Sequence, residues 1–170
     1  GVFVDGQITN LGTISGGNGF DIDAQGALGS VAFLNAGTLN GQVRLGAGSD
    51  RFVQASVDAV VVSGGLGNDE IIGGNGGDTL NGGGDDDLLT GGLGVDTFTF
   101  ENSAGRDVVT DFSITDDILD VSAIFDDAQD VLGAASQVGN DTLIDFGDDN
   151  SVRLVGVDVS SLTSNNFAFA

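Results

Sequence analysis

The sequence predicts an all-β protein built as a parallel β-solenoid, with short strands stacked coil upon coil and a small cap at the C-terminal end. Two repeats and one feature of composition predict it. Four nonapeptides run in tandem without insertion at residues 64–72 (GGLGNDEII), 73–81 (GGNGGDTLN), 82–90 (GGGDDDLLT) and 91–99 (GGLGVDTFT), on the pattern G-G-x-G-x-D-x-U-x with U a large apolar residue. A longer repeat, 25 residues in period, occupies the first sixty positions. The chain is 40% apolar, with 11 Phe, so it can fill a core although it carries 26 acidic side chains. Repeats of this kind bury a shared face only by stacking on their neighbours, which is why periodicity points to a solenoid.

In the longer repeat, residues 8–16 (ITNLGTISG) recur as 33–41 (FLNAGTLNG), aligning Asn10 with Asn35, Gly12 with Gly37, Thr13 with Thr38 and Gly16 with Gly41. Short β-branched or apolar triplets between Gly and Asn suit one coil of a parallel β-helix. Asn10 and Asn35 then stack as a side-chain ladder, and Ile14 and Leu39 enter the core.

In each nonapeptide six turn residues precede a three-residue strand. Strand side chains alternate faces, so the eighth place, held by Ile71, Leu80, Leu89 and Phe98, points inward. Glycines let the turn take positive φ and aim its carbonyls at a common centre, while the Asp at the sixth place adds charge at the mouth. The candidate metal-ligating residues are therefore Asp69, Asp78, Asp87 and Asp96, with the turn positions Gly64 and Leu66, Gly73 and Asn75, Gly82 and Gly84, and Gly91 and Leu93. Carboxylates mixed with backbone carbonyls suit Ca2+, a hard cation that takes about 6–8 oxygens at roughly 2.3–2.6 Å. Asp85 stands where the third repeat should have its fourth-place Gly, and with Asp86 it either faces water or adds to affinity.

Charge and missing residue types narrow the classes further. The net charge is −22, from nine acids against two Arg in residues 1–85 and seventeen against two in residues 86–170. Such a chain repels itself when compact, so a neutralising divalent cation is the expected partner. Nucleic acid and anionic membranes are disfavoured, because nothing supplies a basic patch. Without Cys or His there is no disulfide, no thiolate or zinc site and no usual general base. No apolar run approaches the ~20 residues that span a bilayer, and no charged-then-apolar signal peptide is visible, so either such a signal has been removed or export is expected to use a different route. A first residue other than Met suggests a processed product or a fragment.

After the repeats, residues 126–137 (DDAQDVLGAASQ) read as the one helix, capped by Asp126 with Gln129 three residues on. Residues 141–146 and 151–155 alternate as a hairpin around Gly147-Asp148-Asp149-Asn150.

The nonapeptides resemble the calcium-binding repeats of RTX-type proteins. The runs DTFTF (96–100), GRDVVTDF (105–112) and DILDVS (117–122) resemble the segment that follows the β-roll in secreted RTX proteases, lipases and epimerase modules. The resemblance covers about residues 45–170 and implies a calcium β-roll (63–100) closed by a cap (101–170); with the β-helix coils of residues 1–62 leading into it, the whole reads as a right-handed parallel β-solenoid whose cap holds one helix and a hairpin. Two nonapeptides then make a coil, so Asp69 would share an ion with Asp87, and Asp78 with Asp96. Asp50, in a degenerate turn at 46–52, would pair with Asp69 across the poor repeat 55–63. Asp107 would complete a site at the last open turn, or stand as a strand-edge acid in water. A weaker turn lies at 16–21, with Asp23 at its inward place. Asp111, Asp116, Asp117 and Asp120 read as turn formers and caps. Residues 161–170 resemble the C-terminal signal of type I secretion, and read equally as a last strand closing the solenoid. Secretion by that route implies a chain unfolded in low cytosolic calcium that folds outside the cell.

Two functions remain open on these grounds. One is an extracellular, calcium-stabilised structural protein, a self-assembling surface-layer, matrix or filament subunit that stacks on copies of itself. The other is the C-terminal calcium and secretion module of a larger RTX enzyme or adhesin. No enzyme signature such as HExxH or GxSxG is present, and no Trp or Tyr could stack on a sugar for a carboxylate-pair glycosidase, so no catalytic residue is expected.

Overall fold

The computed structural model of the chain describes residues 6–15, 19–26 and 28–169. Its first strands are β1 (Gly6–Asn10), β2 (Thr13–Ile14), β3 (Phe20–Asp23), β4 (Val31–Asn35), β5 (Thr38–Leu39) and β6 (Gln42–Ala47). Next come β7 (Arg51–Gln54), β8 (Val61–Leu66), β9 (Glu70–Gly74), β10 (Thr79–Gly84), β11 (Leu88–Gly92) and β12 (Thr97–Thr99). The rest comprises β13 (Arg106–Val109), β14 (Ile118–Asp120), α1 (Ala128–Ala134), β15 (Ala135–Val138), β16 (Asp141–Gly147), β17 (Asn150–Leu154) and β18 (Phe167–Ala168).

These strands form a parallel β-solenoid with two main sheets. One has the order β1-β4-β7-β9-β11-β13-β17-β16-β15, the other β3-β6-β8-β10-β12-β14-β18. As far as β14 the chain crosses from the first sheet to the second and back in each coil, so each coil adds one strand to each sheet. Pairing offsets measure coil length. Val31 faces Gly6 across 25 residues, Arg51 faces Ala32 across 19, and Leu88 faces Glu70 across 18, two nonapeptides. The longer coils accommodate a third short parallel pair, in which Thr13 faces Thr38 and Ile14 faces Leu39. The 25-residue repeat is thus one coil of β-helix, and the solenoid tightens into a two-sided roll where the nonapeptides begin.

One inward column runs the length of each sheet. In the first it is Phe33, Phe52, Ile71, Leu89, Val109 and Leu154, each facing the next. In the second it is Ile22, Val43, Val62, Leu80, Phe98, Leu119 and Phe167. All are buried, and Ile71, Leu80, Leu89 and Phe98 are completely so. Each buried side chain of this size stabilises the fold by about 1.5–3 kcal/mol, so the columns hold the coils together as one core. Asn10, Asn35 and Gln54 continue the stacking at the turn: Asn10 Nδ2 donates to Asn35 Oδ1 (2.7 Å) and Asn35 Nδ2 to Gln54 Oε1 (2.6 Å).

Three details differ from expectation. Asp23 is exposed and Ile22 takes the inward place, because the pairing of β3 with β6 shifts register between Phe20 and Ile22. The remainder of that weak turn, residues 16–18, lies outside the described residues, as does the side chain of Asp21. The helix is capped by Asp127, whose side chain accepts from the Gln129 and Asp130 N–H groups, so Gln129 falls at the second helical position and forms no capping box. Residues 135–137, expected as its last turn, belong to β15, because the free edge of β16 offers them an antiparallel ladder.

The hairpin of β16 and β17 forms around a tight turn with φ of 51° at Asp148 and 64° at Asp149. Two central residues at positive φ twist the strands together correctly, and Asp tolerates that conformation. Phe146 packs on Phe100 and Phe125, with ring centroids 5.6 and 6.0 Å away, which fastens the cap to the last coil. At the terminus β18 pairs with β14, and Asn166 Nδ2 donates to the Ile114 carbonyl (2.9 Å).

Candidate metal centre

Every sixth-place Asp divides its two oxygens between two surroundings. Oδ1 reaches back one coil and accepts a backbone N–H. On one edge the Val31, Asp50, Asp69 and Asp87 N–H groups donate to Asp50, Asp69, Asp87 and Asp107, at 2.6, 2.8, 2.8 and 3.0 Å. On the other edge the Val60, Asp78 and Asp96 N–H groups donate to Asp78, Asp96 and Asp117, at 2.8, 2.8 and 3.0 Å. Stacked turns thus form two ladders of aspartates, all of them buried.

Oδ2 is the other half of the design. In Asp50, Asp69, Asp78, Asp87 and Asp96 it is buried without a hydrogen-bond partner. Its location is marked by the first glycine of the repeat: a Cβ added at Gly64, Gly73, Gly82 or Gly91 would collide with Oδ2 of Asp69, Asp78, Asp87 or Asp96. A Cβ at Gly64 would also meet the Gly82 carbonyl, and one at Gly73 the Gly91 carbonyl at 2.9 Å. Only a residue without a side chain leaves room for a carboxylate oxygen and a carbonyl from the next coil to converge. The second glycine meets a different demand. Gly65 holds φ of 119°, and a Cβ there would strike the Gly46 carbonyl.

An ionised carboxylate oxygen buried without a partner is costly, so it either takes a proton or meets a cation. Burial is the main cause of upward shifts along both ladders, opposed by the backbone N–H bonds and, except at Asp50, reinforced by neighbouring carboxylates. It pushes Asp69 and Asp107 up to about 8, Asp87 to about 7 and Asp78 to about 6. Asp50, Asp96 and Asp117 are raised by the same cause. Oxygen-only donors of high charge fit Ca2+. Among the described residues no three acidic side chains converge on one point, which leaves the balance of an ion's oxygens to turn carbonyls.

The structure brings the expected pairs, Asp69 with Asp87 and Asp78 with Asp96, onto the same edges, with Asp50 and Asp107 extending the first ladder. Leu66 ends β8, and Asn75 and Leu93 lie in turns; all three side chains are exposed and apolar or neutral, so their backbone oxygens are what they can offer. The Leu66 carbonyl also accepts from the Gly48 N–H (2.9 Å). Asp85 adopts φ of 74°; its Oδ2 accepts from the Gly67 N–H (3.0 Å), and Asp86 Oδ1 accepts from the Arg106 N–H (3.0 Å). Sequence reasoning missed that Asp117 is a ladder member. It stands 21 residues after Asp96, and the three-residue insertion hides it from a search at a period of 18.

Fold and ladders together define a calcium-binding parallel β-roll. The sequence model of the RTX calcium-binding nonapeptide repeat (4 copies) matches residues 63–98. Among solved structures, the chain is similar to the AlgE6R2 subunit of the Azotobacter vinelandii mannuronan C5-epimerase, at 31% identity and a TM-score of 0.53, over 69% of this chain and 92% of that one. It is also similar to the AlgE6R3 subunit of the same enzyme (25% identity, TM-score 0.49, 86% of this chain and 76% of that one). The extracellular lipase LipA of Serratia marcescens aligns at 16% identity and a TM-score of 0.48, over 99% of this chain and 41% of the lipase. No curated protein matches. The chain belongs to the RTX calcium-binding nonapeptide repeat family, and its repeats bind Ca2+. No helix among the described residues is long and apolar enough to cross a membrane.

Proposed function

We propose that this chain is a non-catalytic, calcium-dependent folding module that acts outside the cell as part of a larger RTX protein. The observation that carries the proposal is the pair of aspartate ladders, in which one oxygen of each repeat Asp is buried beside glycine with no partner. Two rows of such carboxylates and a net charge of −22 oppose folding until a divalent cation is bound. Low calcium then keeps the chain extended for a type I channel, and calcium outside drives the coils together. The tail at 161–170 carries the resemblance to a secretion signal, and β18 joins the second sheet only once β14 has formed. Similarity to a named subunit of an epimerase supports the modular reading.

A second reading, a self-assembling surface-layer, matrix or filament subunit, draws on the first coil. Among the described residues β1 and β3 each have a strand neighbour on one side only, and an open sheet end is a template for another chain. Sedimentation velocity across a calcium titration tests both. Compaction to a monomer supports the module, and compaction followed by growth into large species supports the subunit. A chain whose sedimentation ignores calcium overturns both.

A further inference from the structure

In the first two repeats the glycine-lined space is closed by the following coil. A Cβ at Gly73 would meet Oδ2 of Asp78 and the carbonyl of Gly91, and one at Gly64 would meet Oδ2 of Asp69 and the carbonyl of Gly82. Gly91 belongs to the last nonapeptide, and a Cβ there would meet the Asp96 carboxylate and, at 3.0 Å, the Phe98 ring. Here the following coil is no longer a nonapeptide. Its register is nevertheless fixed: Leu89 faces Val109, and the Thr90 hydroxyl meets the Thr110 hydroxyl at 2.8 Å. The residue one coil beyond Gly91 is therefore Asp111. Its Oδ1 accepts from the Gly91 N–H (3.0 Å) and its Oδ2 from the Gly92 N–H (2.9 Å).

That places a second carboxylate over the glycine beside which Asp96 has its buried, unpartnered Oδ2, on a side chain that is completely inaccessible. We propose that Asp96 and Asp111 form the terminal calcium site of this edge, the Asp111 carboxylate replacing the carbonyl that a fifth nonapeptide would supply. Each Asp111 oxygen spends one lone pair on an N–H and keeps another for a cation. The side chain is exposed, so the ion has a path from solvent. A carboxylate is also the stronger donor for a hard divalent ion, which suits an end site with fewer turn carbonyls around it.

This inference rests on the reading of the nonapeptides as calcium sites, and the test separates the two. Bound calcium per chain is counted by equilibrium dialysis at a concentration that saturates the parent protein. The variants are Asp111→Asn and, as a matched loss of charge at an exposed acid, Glu101→Gln. The expected result is one ion fewer for Asp111→Asn and the parental number for Glu101→Gln. A parental count and affinity in Asp111→Asn overturns the terminal site and leaves the repeat sites standing. Loss of an ion from both variants attributes the effect to net charge and overturns it as well. A parent that binds no calcium overturns the underlying reading. Should Asp111→Asn fail to fold, Asp111→Glu keeps the charge on a longer stem, and one site is expected to weaken by about tenfold. Unchanged affinity there overturns the proposal.

Discussion

Asp87 shows what a single residue contributes: its Oδ1 accepts from the Asp69 N–H, and its Oδ2 stands beside Gly82 without a partner. Asp87→Ala removes a charged ligand from the edge shared with Asp69, so the calcium midpoint of folding, followed by far-UV circular dichroism, should rise on the order of tenfold. An unchanged midpoint would mean that Asp69 and Asp87 do not serve one ion. The same carboxylates set the response to pH. An unfolded Asp titrates near 3.9, whereas burial raises Asp78 to about 6, Asp87 to about 7, and Asp69 and Asp107 to about 8. The folded metal-free chain therefore binds more protons than the unfolded one between those limits. Its stability is greatest below the unfolded value and is lost as pH rises through 6 to 8. Metal-free protein should thus hold more structure at pH 5 than at pH 8, and calcium should reverse the order, because it binds the deprotonated ladder. Circular dichroism at the two pH values, with and without calcium, checks this, and a metal-free chain better folded at pH 8 refutes it. Glycines sort in the same way. Gly65→Ala forces a side chain onto positive φ and into the Gly46 carbonyl, at a cost of at least about 1–2 kcal/mol. Gly133→Ala in α1 meets nothing within 4 Å and should gain about 0.5–1 kcal/mol. Urea unfolding of the calcium-loaded protein measures both.

Elements built from one local pattern were legible in the sequence, and those set by a partner were not. The eighth-place residues announced the core because a strand's period of two leaves no other face for them. The Asn10–Asn35 ladder was legible because both coils keep the 25-residue period. Its third member, Gln54, was not, since the next coil shortens to 19 residues and the amide there is Gln in place of Asn. Asp117 was obscured in the same way by an insertion. The end of α1 depended on the edge of β16, a contact no local pattern contains. Asn35 lies at the centre of its ladder, completely buried, with its amide shared between the Gly37 carbonyl and Gln54. Asn35→Ala takes the Oδ1 acceptor from Asn10 Nδ2 and the donor from Gln54 Oε1, and should cost about 1–3 kcal/mol. Asn35→Asp exchanges a donor for a buried charge and should cost more. Because the Asn35 side chain bonds Asn10, Gly37 and Gln54 and none of the ladder aspartates, the loss should appear in the urea midpoint at saturating calcium and leave the ion count unchanged. A changed count would mean that the β-helix coils and the roll share ions.

Over the whole molecule, one core and two ladders make calcium a condition of the fold. Each ladder Asp reaches the backbone of the preceding coil, and each inward residue packs on the next coil, so a turn opened by charge repulsion also loosens the column beneath it. Removal of calcium should therefore expand the chain as a unit. A compact protein of this length has a radius of gyration of about 16 Å, and the unfolded chain about 44 Å. Small-angle scattering should move from the region of the second value toward the first as calcium is added, stopping somewhat above it because a solenoid is elongated. Screening alone makes a different prediction. Sodium chloride near 1 M shortens the Debye length to about 3 Å and suppresses repulsion between the exposed acids. It does not supply a divalent ion to an oxygen buried beside Gly64, Gly73, Gly82 or Gly91. The metal-free chain in strong salt should consequently contract only in part and regain little strand signal, while millimolar calcium at low salt restores both. Full recovery in sodium chloride would show that net charge, and not the ladder sites, holds the chain open.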